Sequence, residues 1–285
     1  MITVQEALSQ GTQAITQHKL SATPLLDASL LLCKSTGLRR EELYSRSQRT
    51  IPLATYASYT ALIEQRCGGE PVAYLLGERE FYGRSFKVSP AVLIPRSDSE
   101  ALVEAALEKI DSSAKVLDLC CGSGCIGITL AKERSLEAIT LSDISAEALL
   151  VAKENNDRLL GGSARLIEGH LFEPLQGEKF SLIVTNPPYL TATWYNGCSN
   201  EVKREPSLAL LGGEEDGLAL IREIVRKVPL YLEDGGSLLI ECDWRQHEVV
   251  LNLLEERGFS ALESYSDLAP LRRVVGGTYR VWRFS

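Results

Sequence analysis

The segment Asn186-Pro187-Pro188-Tyr189 combines residue types that suit the binding of a planar amide or amino group. It follows the predicted strand 180–185, and ligands of open α/β sheets bind where parallel strands end. Because the two prolines have no backbone N–H and keep the chain extended, carbonyl oxygens remain to accept hydrogen bonds. The Asn186 side-chain oxygen and the Pro187 carbonyl can each accept one of the two N–H groups of an NH₂.

An aromatic ring completes this predicted substrate site. Tyr189 offers a flat face to the same planar group. We therefore predict Asn186, Pro187 and Tyr189 as catalytic residues, with Pro188 as a further substrate-binding residue. The alternative is purely structural, namely a proline-rich strand exit that is capped by an asparagine.

A second candidate site lies upstream, where a short apolar strand leads into the glycine turn 118–127, with the sequence DLCCGSGCIG. Gly122 and Gly124 allow the backbone to approach a ligand closely, and the following helix presents unpaired amide groups. With Gly127 they also satisfy the G-x-G-x-x-G spacing of dinucleotide-binding loops. The turn alone therefore leaves the kind of cofactor open.

Two aspartates at strand ends accompany this turn. Asp118 lies at the end of its strand, where its carboxylate can bind an ammonium group of a ligand directly or through water. Asp143 ends the next predicted strand, where an acidic residue binds ribose hydroxyls. A tight turn with capping aspartates is the structural alternative.

Alternating strands and helices are expected to bring these residues to one edge of a sheet. The predicted strands after residue 96 are 116–119, 138–141, 164–167, 182–185 and 237–241. The predicted helices are 98–110, 126–132, 146–160 and 217–232. This alternation is typical of a doubly wound parallel sheet in an α/β protein. Two last strands, near 261–265 and 278–284, are expected to form a hairpin at one edge.

The N-terminal part has a different pattern. Apolar residues recur there at helical spacing, and Pro24 and Gly37 are typical of a helix start and a helix end. We predict a small helical bundle domain over residues 1–75, a linker hairpin over 76–95, and a catalytic domain over 96–285.

Length and composition limit the class of protein. The chain has 285 residues, 45% of them apolar, which suits two domains with real cores. Its first residues lack the basic start and apolar run of a signal peptide, and no apolar run is long enough for a membrane span. We therefore expect a cytoplasmic protein without a membrane partner.

Charge and cysteine usage exclude further classes. The net charge of −8 argues against stable nucleic-acid binding of a broad kind, because such binding depends on neutralising phosphates. The seven cysteines are irregularly spaced without a CxxC pair, and only three histidines are available. Neither a disulfide framework nor a metal site is predicted.

Over nearly its whole length the chain resembles the peptide chain release factor N5-glutamine methyltransferases, the PrmC/HemK family. Besides the Asn-Pro-Pro-Tyr motif, the resemblance rests on GEPVAYLLG at 69–77, EFYG at 80–83, LIPR at 93–96 with Glu100, EPSLAL at 205–210, GGEEDGL at 212–218, and Glu241 with Gln246. DNA methyltransferases that share the four-residue motif are not expected to have these flanking stretches.

The resemblance implies a Rossmann-like class I methyltransferase fold with S-adenosyl-L-methionine as the methyl donor. It implies that the substrates are class I peptide chain release factors, methylated on the glutamine side-chain nitrogen of their Gly-Gly-Gln loop and held by the N-terminal helical domain. The cofactor-binding residues implied are Asp118, Cys120, Cys121, Gly122, Ser123, Gly124, Asp143, His170, Leu171 and Asn186.

Two positions and one short stretch depart from the family pattern. Cys120 stands where the family usually has glycine, and a thiol fits there unless the backbone needs a positive φ. His170 stands where an acidic residue is common near the adenine, beside the adenine-facing Leu171. The stretch Ser97-Asp98-Ser99-Glu100 replaces the more usual Pro-Glu-Thr-Glu.

On this interpretation the protein positions an amide nitrogen and needs no covalent intermediate, so Cys120 is expected to pack rather than to react. Two alternatives remain open. One is a DNA amino-methyltransferase that uses the same motif on a flipped base. The other is a non-catalytic scaffold that binds the cofactor.

Overall fold

The computed structural model describes residues 2–280, which divide into two compact units. The first unit contains the residues up to Glu78 together with the separate segment Cys198–Arg204. The second contains Arg79–Gly197 and the residues from Glu205 onward. Within residues 2–280, no helix is long and apolar enough to cross a membrane.

The first unit is mainly helical. Its elements are β1 (Ile2–Thr3), α1 (Val4–His18), α2 (Pro24–Thr36), α3 (Arg40–Ser45), β2 (Thr50–Ile51), α4 (Leu53–Cys67) and α5 (Val72–Leu76). A capping box begins α1, since the Glu6 amide donates to the Thr3 hydroxyl while the Glu6 carboxylate accepts from the Thr3 amide. A Cβ on Gly11 would lie 2.0 Å from the Tyr59 hydroxyl oxygen, so glycine is what lets α1 and α4 pack closely.

A buried arginine ties the separate segment to this unit. Arg66 is 2% exposed, and its Nε donates to the Asp27 carboxylate at 2.8 Å. The same guanidinium pairs with Glu201 of the segment Cys198–Arg204. Two carboxylates therefore compensate the charge of a cation that would be costly to bury alone.

The second unit alternates strands and helices. Its elements are β3 (Glu78–Phe81), β4 (Arg84–Lys87), α6 (Glu100–Leu107), β5 (Lys115–Leu119), α7 (Cys125–Glu133), β6 (Ala138–Asp143), α8 (Ala146–Leu160), β7 (Arg165–Glu168), β8 (Phe180–Thr185), α9 (Ala192–Gly197), α10 (Ala219–Lys227), β9 (Leu232–Glu241), α11 (His247–Glu256), β10 (Phe259–Ser266) and β11 (Arg272–Tyr279). Short 3₁₀ turns lie at Ser97–Ser99, Glu173–Leu175, Val202–Arg204, Ser207–Ala209 and Val228–Leu230, the third of them in the segment that belongs to the first unit.

Seven of these strands form one sheet in the order β10-β11-β9-β8-β5-β6-β7. The five strands from β9 to β7 pair in parallel, whereas β11 pairs antiparallel with both β9 and β10. β3 and β4 form a separate two-stranded sheet. The predicted doubly wound α/β fold and the predicted hairpin at one edge are both confirmed.

Both faces of the sheet are covered by helices. Along β5, Val116 packs into a core cluster with residues of α6, α7 and α8, and Leu117 packs into a second cluster with residues of α10 and α11. Successive side chains of a strand point to opposite faces, so a buried parallel strand must be apolar on both sides. The near-continuous apolar runs of β5 and β8 follow from this.

One predicted helix was too long. The interpretation of 217–232 as a helix is corrected to Ala219–Lys227, followed by a 3₁₀ turn at Val228–Leu230. Pro229 has no backbone N–H to donate, so it does not continue the α-helical ladder. The chain then enters β9 at Leu232, well before the predicted strand start at 237.

The last predicted strand was displaced along the sequence. The structure has β11 at Arg272–Tyr279 instead of 278–284, and the predicted residues 281–284 lie outside the described part of the chain. Gly276 lies inside β11, where a Cβ would come within 2.3 Å of the Leu239 side chain on β9. The two glycines of this stretch are typical of a turn in sequence, yet they allow close packing within a strand.

Candidate active site

A cavity of about 410 Å³ opens at the carboxyl ends of β5 and β8. At this point the chain order reverses, because β6 and β7 lie on one side of β5 and β8 and β9 on the other. Such a switch point is where doubly wound sheets bind ligands, and the volume suits a small molecule. The glycine turn and the Asn-Pro-Pro-Tyr motif therefore share one site.

Most predicted site residues lie on the wall of this cavity. Those on the wall are Cys120, Cys121, Gly122, Ser123, Asp143, His170, Leu171, Asn186 and Pro188. The predicted residues Asp118, Gly124, Pro187 and Tyr189 are not part of the wall.

The glycine turn is built from left-handed backbone positions. Cys120, Gly122 and Gly124 have φ angles of 61°, 54° and 76°. A cysteine would fit at position 120 without strain only if φ were negative, and this condition is not met. A residue with a Cβ costs roughly 1–2 kcal/mol in this left-handed conformation. At Gly124 space is limiting as well, because a Cβ would lie 2.9 Å from the Ile128 side chain.

The thiols at this turn are held in their protonated form. Burial raises the pKa of Cys125 to about 12, and burial also raises the pKa of Cys120 and of Cys121. The neighbouring carboxylates Asp118 and Asp143 raise them further. A thiolate nucleophile is therefore disfavoured, which agrees with a packing role for Cys120.

Asp143 holds the turn against the adjacent loop. One of its carboxylate oxygens accepts from the Gly122 amide at 2.8 Å, and the other accepts from the Ser145 amide at 3.0 Å. A carboxylate has room for about four hydrogen bonds, so both oxygens can still accept from a ligand. This geometry suits the predicted contact with ribose hydroxyls.

Asp118 lies behind the turn and is completely buried. One of its oxygens accepts from the Gly127 amide at 2.8 Å, and the other has no partner within residues 2–280. Burial, only partly opposed by the Gly127 hydrogen bond, raises the pKa of Asp118 to about 7. An unpaired buried carboxylate oxygen is costly and fits a site that interacts with a cation.

Asn186 projects from the end of β8 onto the cavity wall. Its Nδ2 donates to the hydroxyl oxygen of Ser99 at 3.2 Å. Ser99 is 3% exposed and belongs to the 3₁₀ turn before α6. The NH₂ end of the asparagine is thus engaged, and its oxygen is the end that remains as an acceptor.

The backbone at the end of the motif is held by residues that are distant in sequence. Gln246 Nε2 donates to the Tyr189 carbonyl at 2.8 Å and to the Asp216 carbonyl at 2.7 Å. A Cβ on Gly217 would lie 2.3 Å from the Tyr189 carbonyl oxygen, and one on Gly212 would lie 2.8 Å from the Pro188 carbonyl oxygen. The stretch 212–218 and Gln246 therefore contact the backbone of Pro188 and Tyr189. The sequence resemblance had included both without giving them a role.

A second pair of singled-out stretches also meets at the cavity. Glu205 is 4% exposed, accepts from the Ile94 amide at 2.9 Å and pairs with the guanidinium of Arg96. Arg96 itself lies on the cavity wall. Neither residue was predicted as part of the site.

Ser99 and Glu241 are further residues that the motif analysis missed. Glu241 is the last residue of β9 and is 2% exposed, and the Tyr189 hydroxyl donates to its Oε1 at 3.3 Å. Burial raises the pKa of Glu241 to about 7, although Ser99, Tyr189 and Arg273 lower it. A carboxylate at a strand end is the same signal that identified Asp118 and Asp143.

His170 and Leu171 follow β7 and line the cavity. The side chain of His170 is 37% exposed, with Nδ1 at 3.6 Å from a Glu173 oxygen. Leu171 is 4% exposed and has a φ of 48°. Both residues therefore lie where a bound cofactor can reach them.

Within residues 2–280, no three His, Cys, Asp or Glu side chains are grouped so that they can hold a metal ion.

Comparison with known proteins identifies the relatives of the chain. Residues 6–77 match the family model of the PrmC N-terminal domain, and residues 97–196 match that of the methyltransferase small domain. The release factor glutamine methyltransferase of Vibrio cholerae serotype O1 is 40% identical over 286 residues, covering 99% of each chain. The chain belongs to the release factor glutamine methyltransferase family.

A second member of this family and a more distant solved structure are also similar to the chain. The release factor glutamine methyltransferase of Burkholderia pseudomallei is 40% identical over 279 residues, covering 94% of this chain and 98% of its own. The crystal structure of a methyltransferase from Pyrococcus furiosus matches 79% of this chain and 100% of its own, with a TM-score of 0.53 and 14% identity. The latter likeness shows a shared fold alone.

Proposed function

We propose that this member of the family transfers a methyl group from S-adenosyl-L-methionine to the side-chain nitrogen of the glutamine in the Gly-Gly-Gln loop of class I peptide chain release factors. The observation that carries the proposal is the single cavity shared by the glycine turn and Asn186, which joins a cofactor site to an amide acceptor. The similarity to named release factor glutamine methyltransferases over nearly the full length supports the choice of substrate.

The residues around the turn fit the proposed cofactor. The turn backbone at Cys121, Gly122 and Ser123 and the carboxylate of Asp143 would hold it, with His170 and Leu171 at the adenine. The unpaired oxygen of Asp118 would be a buried partner for the positive charge of an ammonium group or a sulfonium centre, and that charge would favour the ionised carboxylate. When bound, S-adenosyl-L-methionine supplies an electrophilic methyl group.

The substrate end of the cavity has to position a weak nucleophile. An amide nitrogen is a poor nucleophile because its lone pair is delocalised into the carbonyl. Asn186 Oδ1 and the Pro187 carbonyl are proposed to accept the two amide hydrogens, which aims the nitrogen and raises its electron density. Pro188 and the ring of Tyr189 complete this proposed substrate site. No covalent intermediate on the protein is needed.

The first unit is proposed to hold the release factor, a proposal supported by the match of residues 6–77 to the model of the PrmC N-terminal domain. Because the proposed substrate is a translation factor, the cytoplasm is the proposed location. The proposal needs no metal ion, no membrane partner and no stable binding to nucleic acid.

The experiment that tests the proposal uses the full chain, labelled S-adenosyl-L-methionine and a purified class I release factor. One methyl group is expected on the glutamine of the Gly-Gly-Gln loop, located by peptide mass spectrometry. A release factor with that glutamine replaced by glutamate is the matched control and is expected to stay unlabelled. Label at another residue, or on an adenine-containing DNA duplex instead of the factor, would refute the proposal.

A further inference from the structure

Glu241 is a buried carboxyl group that the proposed chemistry does not use. It ends β9, the parallel neighbour of β8, so it lies at the same edge of the sheet as Asn186. Only 2% of the residue is exposed, and its Oε2 has no hydrogen-bond partner in the described part of the chain. Burying a carboxyl group with an unpaired oxygen costs free energy, and an apolar residue of similar volume would fill the same space without that cost. Glu241 is therefore expected to do more than pack.

The carboxyl group is linked to the substrate motif at two points. The Tyr189 hydroxyl donates to Glu241 Oε1 at 3.3 Å. The Ser99 hydroxyl lies near Glu241 and lowers the pKa of the carboxyl group. The same Ser99 oxygen accepts from Asn186 Nδ2 at 3.2 Å. Glu241 therefore accepts a hydrogen bond from the last residue of the Asn-Pro-Pro-Tyr motif and lies near the serine that holds the first.

The direction of these hydrogen bonds follows from the chemistry of each group. A serine hydroxyl has one O–H to donate, and here its oxygen accepts from the Asn186 NH₂. Ser99 can then direct its own O–H toward Glu241, whose unpaired Oε2 is available as an acceptor. Because this arrangement occupies the NH₂ end of Asn186, the amide cannot turn over without losing the bond to Ser99. The Asn186 oxygen consequently remains the acceptor for a substrate.

The other charged and titratable groups near Glu241 do not replace this role. Arg273 lowers the pKa of Glu241 and Asp98 raises it, while Cys125 and Cys242 are protonated thiols whose own pKa values the carboxylate raises. No cation is paired with Glu241 among residues 2–280. The carboxyl group thus works as a hydrogen-bond acceptor and not as half of an ion pair.

We propose that Glu241 is a positioning residue that, through Ser99 and Tyr189, fixes the orientation of the Asn186 side chain and of the motif around it. The inference rests on the proposed function, because Asn186 is proposed there as the acceptor for the substrate amide. It assigns a role to a strand-end residue that does not line the cavity.

The test compares Glu241→Gln, Glu241→Met and Ser99→Ala in the full chain. Glutamine keeps an acceptor oxygen at the same reach, whereas methionine keeps the volume without it. Single-turnover methyl transfer to a release factor is expected to stay within about threefold of wild type in Glu241→Gln and to fall roughly 10- to 100-fold in the other two. The Kd for S-adenosyl-L-methionine, measured by calorimetry, is expected to change less than about threefold, because no cofactor contact is removed.

A double-mutant cycle separates positioning from a general structural role. If Glu241 acts through Asn186, adding Glu241→Met to Asn186→Ala should lower the rate little further. The same fold loss in the presence and absence of the Asn186 side chain would overturn the inference. So would wild-type rates in both Glu241→Met and Ser99→Ala.

A second readout does not depend on methyl transfer. The side-chain NH₂ signals of Asn186 in a ¹⁵N–¹H spectrum, assigned through their loss in Asn186→Asp, should shift in Ser99→Ala and Glu241→Met and stay in place in Glu241→Gln. If wild type fails to methylate release factors, the proposed function fails while these shifts still test the positioning role. Unchanged signals in all three variants would refute the positioning role by itself.

Discussion

The glycine turn and the Asn-Pro-Pro-Tyr motif lie at the ends of neighbouring strands, but they are held in different ways. The turn is held locally, since Asp118 binds the amide of Gly127 nine residues on, and Asp143 binds the amide of Gly122 twenty-one residues back. The motif is held from a distance, by Ser99 at 87 residues, Glu241 at 52 and Gln246 at 57.

This difference has a functional meaning. A turn that binds a nucleotide-like cofactor needs a fixed backbone, and one strand-turn-helix unit with its next strand supplies that. A motif that positions a weak nucleophile needs side-chain orientation as well, and orientation requires packing from several elements. Changes in the motif should therefore affect the rate of transfer, and changes in the turn should affect cofactor affinity and stability.

The largest effect is expected from Asn186→Ala. It removes the proposed acceptor for the substrate amide, which would matter most as the nitrogen attacks, so we expect a loss of roughly 2–4 kcal/mol on the barrier, or about 10²–10³ in rate. Single-turnover methyl transfer measures this, and cofactor affinity serves as the control. Asn186→Asp is expected to fail almost as severely, because a carboxylate has no N–H for Ser99. Wild-type rates in Asn186→Ala would remove the motif from the substrate site.

The matching change on the turn side is Asp143→Ala. It removes the acceptor of two backbone amides and the proposed ribose contact, so S-adenosyl-L-methionine should bind about 1–3 kcal/mol more weakly by calorimetry. Asp143→Asn, which keeps one acceptor oxygen, should be intermediate. Unchanged affinity in Asp143→Ala would mean that the cofactor does not lie against this carboxylate.

Each region contains one buried carboxyl group with a raised pKa, which predicts a shared pH dependence. Burial raises the pKa of Asp118 and of Glu241 to about 7 in the native state, whereas freely exposed aspartate and glutamate side chains have pKa values near 3.8 and 4.5. Because the folded protein then binds more protons than the unfolded chain, this contribution to stability is complete below pH 4 and is lost as pH rises toward 7.

Replacing either carboxyl group by an amide should make the free energy of unfolding depend less on pH. Between pH 5 and 7, the stability of Asp118→Asn and of Glu241→Gln relative to wild type should rise by up to about 1.4 kcal/mol per pH unit. Urea unfolding at several pH values without cofactor measures this, with the exposed Glu255→Gln as the control. A variant that parallels wild type across this range would show that its carboxyl group is ionised in the native protein.

The smallest effect concerns strain inside the turn. Cys120 has a φ of 61°, so Cys120→Gly should be more stable than Cys120→Ala by roughly 0.5–1.5 kcal/mol, because both lose the thiol but only glycine loses the Cβ. Both variants should keep most of the transfer activity. Equal thermal stabilities would mean that the turn relaxes around a side chain, and a thousandfold loss of activity with intact cofactor binding would contradict the packing role.

The elements of the catalytic core were largely predictable from the sequence. Helix α8 was predicted with the bounds that the structure has, and β5 and β8 were predicted within a few residues. Errors arose in β11, where Gly276 and Gly277 are part of the strand that was predicted to begin only after them, and in α10, where Pro229 ends the helical pattern early. Local propensity yields to packing at such positions.

The candidate site was predictable only in part. The strand-end motifs identified the residues of the cavity wall, because strand ends and glycine turns are local features. Ser99, Arg96, Glu205 and Glu241 were missed as site residues, because their roles depend on partners that are distant in sequence. A rule that treats every strand-end carboxylate as a candidate would have found Glu241.

The sequence by itself determined the alternation of strands and helices, the glycine turn with its two aspartates, and the chemistry that an Asn-Pro-Pro-Tyr segment offers, since all of these follow from neighbouring residues. Only the tertiary structure decided that Cys120 takes a left-handed backbone and that the NH₂ of Asn186 is held by Ser99. It also decided that the Tyr189 hydroxyl meets the carboxyl group of Glu241. The physical reason is that hydrogen-bond direction and backbone strain depend on which distant groups the fold brings within about 3 Å of one another.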